Sequence, residues 1–418
     1  MRGVKNDNTN KAFSSEMQLL LQCLRINTPY LKEGLTEFYY THSIDWNHFI
    51  CLIARHRLFP QVNAFSKRYP DIIPVEVQVR IAVQASKNLR WILTLAGELH
   101  IIHQLFESEH IGFIAMKGPL MVQQLYGDYT FRQSRDLDIL VEENYIDKAI
   151  GVLTNAGYHL LDAYFVHNKE KRPLYMKREN HARFRHPNKM IFIELHWAVS
   201  KYFTSIKTPL LFGRTIEIDV NDKKYRTFPE DDYFVIMATH GIYHRYELLF
   251  WLYDIAHIML MPGINYSGLL ARAEKYNCYT PVKVSMALAS SVFGMHKPMS
   301  QLEFQKLNSR EQFLFDQCFD TIRAAGTRKK VNGFKRFFNT LRQRYSTQRY
   351  FWLMTDDWGS KKRVLLNTLI KPYVWGSDEK LPNNNIIYLL MTQVKWLKML
   401  ITGKMSRAGK TKGKKVAG

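Results

Sequence analysis

Two aspartates separated by one residue are the feature of this sequence that points most directly to chemistry. The segment Asp136-Leu137-Asp138 begins an apolar run that continues to Val141. In a β-strand, side chains two residues apart point to the same face, so both carboxylates would project together while Leu137 turns toward the core. Two like charges this close repel each other, and a divalent cation relieves the repulsion. Magnesium prefers carboxylate and phosphate oxygens, and such pairs serve phosphoryl and nucleotidyl transfer.

Three neighbouring features favour this chemistry over a solvated acidic loop. Gly118 lies between a short apolar run and a helix, where backbone amides can approach a phosphate. Arg132 and Arg135 precede the aspartates and can counter phosphate charge. Glu194 lies between apolar residues in a later segment, so it would project from one face of a strand. A third carboxylate is what a two-metal site requires.

The elements that must position these residues begin with a helical N-terminal region over residues 1–105. Apolar residues recur there at three- and four-residue steps, as they do in amphipathic helices. One helix is predicted to begin near Ser14, another lies within 44–58, and a long helix is predicted over 75–106.

The pattern changes over residues 106–228, which we expect to form the core domain. Apolar runs over 111–116 and 136–141 predict strands. Pro119 suits the first position of a helix, and Gly157 suits the position just after one. Further predicted elements are a helix over 144–156, a strand over 158–161, and strands over 182–186 and 190–199 joined by a turn at 187–189. Because helices mix with strands that include an antiparallel hairpin, the fold class is α+β or α/β.

Helical spacing returns at Pro229, where the acidic residues that follow suit the positive end of a helix dipole. We expect a helical domain over 229–320, interrupted at Pro262-Gly263, and a basic helical region over 321–418 that ends in a disordered tail.

The charge of the chain is concentrated near its end. The 418 residues include 59 basic and 37 acidic side chains, a net charge of +22, and 24 of the basic but only 8 of the acidic ones lie from residue 301 onward. Hydrophobic residues make up 46% of the chain, which excludes a largely disordered or collagen-like protein. A local basic excess suits a polyanionic partner, such as nucleic acid, an anionic membrane surface or a phosphorylated ligand.

The stretch 321–355 has nine basic residues and no acidic one, with aromatic residues interleaved. Three interpretations are open for it. It could hold a nucleic-acid backbone while aromatic rings stack on bases, lie on a lipid surface as an amphipathic helix, or form a helix that buries its aromatic side chains and exposes its basic ones.

The four cysteines, Cys23, Cys51, Cys278 and Cys318, lie far apart and form no CxxC pair, which suits a reducing compartment. The first residues contain no apolar run typical of a signal peptide, and no apolar stretch reaches the length of roughly 18 residues that a membrane span needs. We therefore expect a cytoplasmic protein without a transmembrane segment.

The run KGPLMVQQLYGDYTFRQSRDLDILV, residues 117–141, resembles the uncharacterised nucleotidyltransferase family of bacteria, which belongs to the DNA polymerase beta-like superfamily. The similarity continues through Glu194-Leu195-His196-Trp197 and the helical stretch 240–258. The matching positions in these segments are Lys117, Gly118, Leu120, Tyr126, Arg132, Asp136, Asp138, Leu140, Glu194, His240, His244, Trp251 and Asp254.

The resemblance implies a nucleotidyltransferase-like small mixed sheet flanked by helices. Gly118 would face the triphosphate of a bound nucleotide. The catalytic and magnesium-binding residues would be Asp136, Asp138 and Glu194, and the residues that bind the nucleotide would be Lys117, Gly118, Arg132 and Arg135. One departure is that Lys117-Gly118 stands where the wider superfamily has Gly-Ser or Gly-Gly, which puts a positive charge at the phosphate turn.

Several histidines and arginines near these segments have both structural and chemical interpretations. His240 and His244 share a helix face, but the HExxH pattern is absent, so a structural role is favoured. His196 shares a strand face with Glu194 and either orients a metal ligand or packs beside Trp197. A basic cluster before the Glu194 strand either contacts substrate phosphate or forms a solvated strand face; its members are Arg178, His181, Arg183, Arg185 and His186.

Two functions follow from these observations. The leading hypothesis is an enzyme that uses magnesium to transfer a nucleoside monophosphate from a nucleoside triphosphate to an acceptor hydroxyl. The alternative is a catalytically silent nucleotidyltransferase fold whose basic C-terminal region binds nucleic acid or an anionic surface.

Overall fold

The computed structural model describes residues 13–25, 42–162, 167–168, 172–220, 222–295, 306–324 and 346–369. Within these ranges the chain forms one five-stranded sheet, one two-stranded sheet and a large number of helices.

The described part of the N-terminal region is helical, as its apolar spacing predicted. The described helices are α1 (Ser15–Cys23), α2 (Trp46–His56), α3 (Phe59–Arg68) and α4 (Val75–Ser108). The Ser14 hydroxyl accepts a hydrogen bond from the Met17 backbone amide at 3.3 Å, which caps α1 where the sequence placed its start. The long helix α4 extends two residues beyond its predicted end.

The central sheet has strands β1 (Phe113–Ala115), β2 (Leu137–Val141), β3 (His159–Leu160), β4 (His181–Arg185) and β5 (Phe192–His196). Their order across the sheet is β1-β2-β5-β4-β3. The predicted hairpin is confirmed, since β4 and β5 pair antiparallel, whereas β2 and β5 run parallel and the remaining pairs are antiparallel. The sheet is therefore small and mixed.

The middle strand β2 is buried along its whole length. Leu137, Ile139 and Val141 face a hydrophobic core that the sheet shares with α4 and with α6, the helix Ile146–Asn155. Leu140 points to the other face and joins a second core. Burial on both faces leaves little freedom in the register of β2, because a one-residue slip would exchange the two faces.

Short helices connect the strands. Helix α5 (Pro119–Tyr126) begins at the predicted proline, and Gly157 ends α6 with a φ of 89°. The other connections include α7 (Arg172–Arg178) and α8 (Thr208–Phe212), with single 3₁₀ turns at Tyr129–Phe131 and Glu143–Tyr145.

A hairpin of strands β6 (Ile216–Val220) and β7 (Lys223–Thr227) was not predicted. Its sequence, IEIDV followed by KKYRT, alternates apolar or β-branched residues with charged ones at period two, which is the signal typical of a half-exposed strand. Strand β7 lies beside β1 at the edge of the central sheet.

The described residues after Pro229 are mainly helical, as predicted. They form α9 (Glu230–Tyr243), α10 (Leu249–Met259), α11 (Tyr266–Lys275), α12 (Tyr279–Phe293) and α13 (Ser309–Arg323). In the last described range, residues 346–353 are helical and α14 spans Trp358–Leu369. Three acidic residues occupy the first turn of α9, where the helix dipole favours them.

Helices from both ends of the chain build the second core. Leu20 of α1, Phe49 of α2, Leu252 of α10, Val284 of α12 and Leu314 of α13 are all almost completely buried in this single cluster. The N-terminal helices therefore pack against the C-terminal ones, and the central sheet lies between this core and the one formed by α4 and α6.

The basic stretch 321–355 falls partly within the described residues. Tyr350 is fully buried, and Phe351 stacks on Tyr202 and Tyr243 with centroid distances of 5.2 and 5.5 Å. These rings pack inward, as the interpretation of a helix that buries its aromatic residues predicted. Residues 325–345 and the tail from 370 onward lie outside the described residues, so the polyanionic partner stays a prediction.

Among the helices in the described ranges, none has the length and apolar character that crossing a lipid bilayer requires.

Replacing Ile139 with alanine tests how strongly the sheet depends on the core under β2. The side chain is fully buried, so its loss removes apolar contacts and leaves a cavity, and the free energy of unfolding should fall by about 2–5 kcal/mol. Urea unfolding followed by circular dichroism measures the change. The matched control is Ile101→Ala on α4, where the side chain is 42% exposed and stability should change by less than about 0.5 kcal/mol. Equal losses in the two variants would contradict this core.

Candidate active site

The carboxylates meet on one face of the central sheet. Strands β2 and β5 are adjacent and parallel, and Asp138 lies directly opposite Glu194 in their register. Residues opposite each other on neighbouring strands project from the same face, so both carboxylates point away from the core under α4. His196 follows Glu194 by two residues on that face, and Asp136 lies one residue before β2.

A cavity of about 450 Å³ opens over this face. Side chains of α9, of the residue that follows it and of α10 line the cavity opposite the sheet, among them His240, His244 and Trp251. All seven residues that the sequence singled out for the site line it as well: Lys117, Gly118, Arg132, Arg135, Asp136, Asp138 and Glu194.

Gly118 connects β1 to α5 in a conformation that only glycine adopts easily. Its φ is 90° and its ψ is −150°, and a β-carbon at this position would lie 3.4 Å from the backbone oxygen of Asp136. A side chain would therefore strain the backbone and crowd the strand that carries the aspartates. The turn keeps the start of α5 close to the carboxylates.

Lys117 is held beside the carboxylates by a histidine of α9. Its ammonium group lies 3.3 Å from Nδ1 of His240. Burial, with a further contribution from Lys117, lowers the pKa of His240 well below its ordinary value, so the neutral ring can accept a hydrogen bond from the ammonium group. The same ammonium lowers the pKa of both Asp136 and Asp138.

The two aspartates have pKa values shifted in opposite directions. Burial, reinforced by the charges of Asp138 and Glu194, raises the pKa of Asp136 from 3.8 to about 6. Burial also opposes ionisation of Asp138, but Lys117 and a 3.1 Å hydrogen bond from Nε2 of His196 outweigh it and hold the pKa of Asp138 below its ordinary value. Asp138 is thus ionised at neutral pH, and its charge resists a second one nearby.

Glu194 lies between two imidazoles. Its carboxylate oxygens lie 3.4 Å from Nε2 of His196 and 3.8 Å from Nε2 of His181. Burial would raise the pKa of Glu194, but the hydrogen bond from His196 outweighs it and lowers the value. The carboxylate is therefore ionised and partly accessible from the cavity.

Arg132 is fixed at the wall of the cavity by an ion pair. Only 5% of the residue is exposed, and its Nε lies 3.0 Å from a carboxylate oxygen of Asp254 on α10. Asp254 also accepts a hydrogen bond from the Tyr126 hydroxyl at 2.6 Å, and the Arg132 guanidinium lies 4.9 Å from the centre of the Phe250 ring. The orientation of this arginine is therefore set by two helices, whereas Arg135 is exposed at the mouth of the cavity.

The other basic candidates separate into two groups. Of the cluster before β5, His181 lines the cavity, whereas Arg183 pairs with Asp162 at 2.7 Å and Arg185 lies over the ring of Phe192. Arg183 and Arg185 therefore lie on a solvent-accessible part of β4, as the interpretation of a solvated strand face predicted.

Arg57 and Asn180 are among the cavity residues that were not singled out from the sequence. Arg57, at the end of α2, lines the cavity from a position sixty residues before Lys117, and burial lowers its pKa to about 10. Asn180 precedes β4 and contacts both His181 and His196. Neither has a local sequence signal, because an arginine after a helix and an asparagine before a strand are common surface residues.

The donor set fits a divalent cation. Asp136, Asp138 and Glu194 bring three carboxylates to one partly buried face. Burial and the other two carboxylates raise the pKa of Asp136 despite the ammonium of Lys117 nearby. Carboxylate oxygens are the ligands that magnesium prefers. His181 and His196 add nitrogen donors at the edge of the same set.

Comparison with known families agrees with this geometry. Residues 42–294 match the model of a family described as uncharacterised nucleotidyltransferase. The match covers more than half of the chain. The chain belongs to this family. No curated protein matches it, and no solved structure does. The matched segment of this nucleotidyltransferase runs from just before α2 to just after α12, and every residue named above as lining the cavity lies within it.

Replacing Asp136 with asparagine tests the charge balance of the site. Because folding raises the pKa of Asp136 from 3.8 to about 6, its contribution to stability is fully present below the unfolded value of 3.8 and is lost as the pH rises through about 6. The neutral asparagine should therefore raise the free energy of unfolding of metal-free protein at about pH 7.5 by up to about 3 kcal/mol, but by only about 0.5 kcal/mol at about pH 4.

Urea unfolding at the two pH values measures this difference. The control is Asp71→Asn, which changes an exposed carboxylate that does not line the cavity and should give the same small effect at both pH values. A loss of stability in Asp136→Asn at neutral pH would contradict the raised pKa.

Proposed function

We propose that this protein transfers a nucleoside monophosphate from a nucleoside triphosphate to an acceptor hydroxyl, with magnesium held by Asp136, Asp138 and Glu194. The observation that carries the proposal is the register that puts Asp138 opposite Glu194 beside the Gly118 turn. Membership of a nucleotidyltransferase family supports the class of reaction.

In this proposal the triphosphate lies along the edge of the cavity that carries positive charge. The ammonium of Lys117, the amides near Gly118 and the guanidinium of Arg135 would contact its phosphate oxygens. Arg132 contributes a fixed positive charge, since its Nε is already engaged by Asp254. Together these groups would offset the four negative charges of a triphosphate, and they explain why a carboxylate site can bind an anion.

Magnesium at the carboxylates would neutralise charge on the reacting phosphate and on the pyrophosphate that leaves. The chain itself must orient the acceptor and accept its proton. In the absence of a cation, burial and the charges of Asp138 and Glu194 raise the pKa of Asp136 to about 6, so its charge is the one that bound magnesium would stabilise most. One of the three carboxylates would take the proton of the acceptor hydroxyl. Asp138 and Glu194, with lowered pKa values, are ionised at neutral pH.

The wall formed by α9 and α10 suits a nucleobase. Trp251 and His244 lie 5.0 Å apart at their ring centres with an angle of 32°, and both rings line the cavity. A flat aromatic surface binds any base by stacking, with a contribution of about 1–3 kcal/mol. We propose that the base of the nucleotide rests there while its phosphates point to the sheet.

A labelling experiment tests the reaction class. The full chain is incubated with magnesium, a metabolite or nucleic-acid extract as the source of acceptor, and each nucleoside triphosphate labelled at either the α- or the γ-phosphate. Nucleotidyl transfer predicts that only the α-label enters a product and that pyrophosphate is released. Transfer of the γ-label would indicate a kinase instead, and no transfer with any triphosphate would count against catalysis.

Asp138→Asn should abolish this transfer. The substitution keeps the size of the side chain but removes a charge that no neighbouring group replaces, so the rate should fall by roughly a thousandfold or more. The control is Glu76→Gln, an exposed carboxylate on α4, which should retain the wild-type rate. Transfer at an unchanged rate in Asp138→Asn would refute the role of this carboxylate.

Gly118→Ala tests the phosphate turn. With a φ of 90° and Asp136 close by, alanine should lower the free energy of unfolding by about 1–3 kcal/mol and weaken binding of a non-hydrolysable triphosphate, measured by calorimetry. Gly97→Ala is the matched control. It lies in α4 with nothing within 4 Å of a new β-carbon, so it should stabilise the protein by up to about 1 kcal/mol and leave nucleotide binding unchanged.

A further inference from the structure

Two imidazoles flank Glu194, and magnesium chemistry does not call for them. His181 on β4 and His196 on β5 lie opposite each other in register, with ring centres 4.8 Å apart. Three donor atoms lie within 4.8 Å of one another, one each from His181, Glu194 and His196. Such a compact set of nitrogen and oxygen donors is what a transition-metal ion uses.

Asn180 fixes which nitrogen of each imidazole carries the proton. Its side-chain nitrogen lies 3.1 Å from the carbonyl oxygen of Ala198. A carbonyl only accepts, so the amide nitrogen must face it, and the amide oxygen must point the other way. The same nitrogen lies 3.3 Å from Nδ1 of His196, and the oxygen lies 3.3 Å from Nδ1 of His181.

The two histidines therefore have different roles. Nδ1 of His196 accepts a hydrogen bond from Asn180, so its proton is on Nε2 and is donated to Asp138 at 3.1 Å. Nδ1 of His181 donates to Asn180, so Nε2 of His181 carries a lone pair. That lone pair belongs to the nitrogen that lies 3.8 Å from an oxygen of Glu194.

The 3.8 Å distance between Nε2 of His181 and the Glu194 oxygen suits two ligands of one ion. Zinc lies about 2.0–2.2 Å from imidazole nitrogen and carboxylate oxygen, so two of its ligands at tetrahedral angles are roughly 3.4 Å apart. A shift of a few tenths of an ångström brings His181 and Glu194 to that spacing. Nitrogen donors favour zinc and its neighbours in the first transition row over magnesium, which prefers oxygen alone.

We propose that the edge of the site binds a zinc-type transition-metal ion through Nε2 of His181 and the carboxylate of Glu194. His196 is a positioning residue that holds Asp138 by a hydrogen bond and does not ligate the ion. Asn180 separates the two roles by setting the tautomer of each ring. This inference concerns metal binding and stands whether or not the nucleotidyl transfer proposed above occurs.

Calorimetric titration of the metal-free full chain with zinc alone, repeated in excess magnesium, tests the site. The wild type should bind one zinc equivalent that magnesium does not displace. His181→Ala should weaken that equivalent by more than about 100-fold, whereas His196→Gln, which keeps a donor toward Asp138, should weaken it by no more than about tenfold. Thermal melting of each metal-free variant confirms that it is folded.

Two controls remove donors elsewhere. His159→Ala deletes an exposed histidine on β3 of the same sheet, and Cys51→Ser deletes an exposed thiol on α2; both should bind zinc as the wild type does.

Zinc binding that survives in folded His181→Ala, or that magnesium displaces fully, would overturn the proposal. An equal loss in His196→Gln would overturn the separation of roles. Failure of the labelling experiment with intact zinc binding would affect the proposed function alone.

Discussion

The like charges on β2 and β5 are the constraint around which the site is arranged. Pairing these strands in parallel puts Asp138 opposite Glu194 on a partly buried face, with Asp136 one residue before the strand. The surrounding structure reduces the electrostatic cost unequally. Lys117 and the hydrogen bond from His196 lower the pKa of Asp138. At Asp136, burial and the other two carboxylates outweigh Lys117, and the pKa is raised. The remaining repulsion among the carboxylates destabilises the folded protein at neutral pH. Such repulsion is typical of a site that binds a cation.

The two hydrophobic cores allow such a face to persist. One core locks the opposite side of β2 against α4 and α6, and the other joins α1–α3 to α9–α13 above the cavity. The second core also carries the groups that complete the site, because α9 supplies His240 to Lys117 and α10 supplies Asp254 to Arg132. Stability of the helical part and geometry of the charged part are therefore coupled. A change in α10 reaches the cavity through the Asp254–Arg132 ion pair and also through Trp251, which lines it.

The histidines refine the chemistry that the carboxylates suggest. A site made only of Asp136, Asp138 and Glu194 would have oxygen donors alone. Placing β4 next to β5 adds His181 and its partner Asn180 at the edge of the set. Glu194 then lies between an oxygen-rich side and a nitrogen-bearing side, so two kinds of cation would share one carboxylate. This arrangement depends on the antiparallel hairpin, which turns His181 back toward His196.

The sequence alone determined the local elements and the chemical type of the site. Periodicity, Pro119 and Gly157 place α4, α5, α6 and the main strands, because these signals act over a few residues. The spacing of Asp136 and Asp138 predicted carboxylates on one side, and both line the cavity although β2 begins one residue after Asp136. The β6–β7 hairpin carried a local signal that alternation could have shown. Only the tertiary structure decided the partners: Arg132 and Asp254 are 122 residues apart, and Lys117 and His240 are 123 apart. No short-range pattern specifies such pairs, since they follow from how two hydrophobic cores bring distant helices to the same sheet.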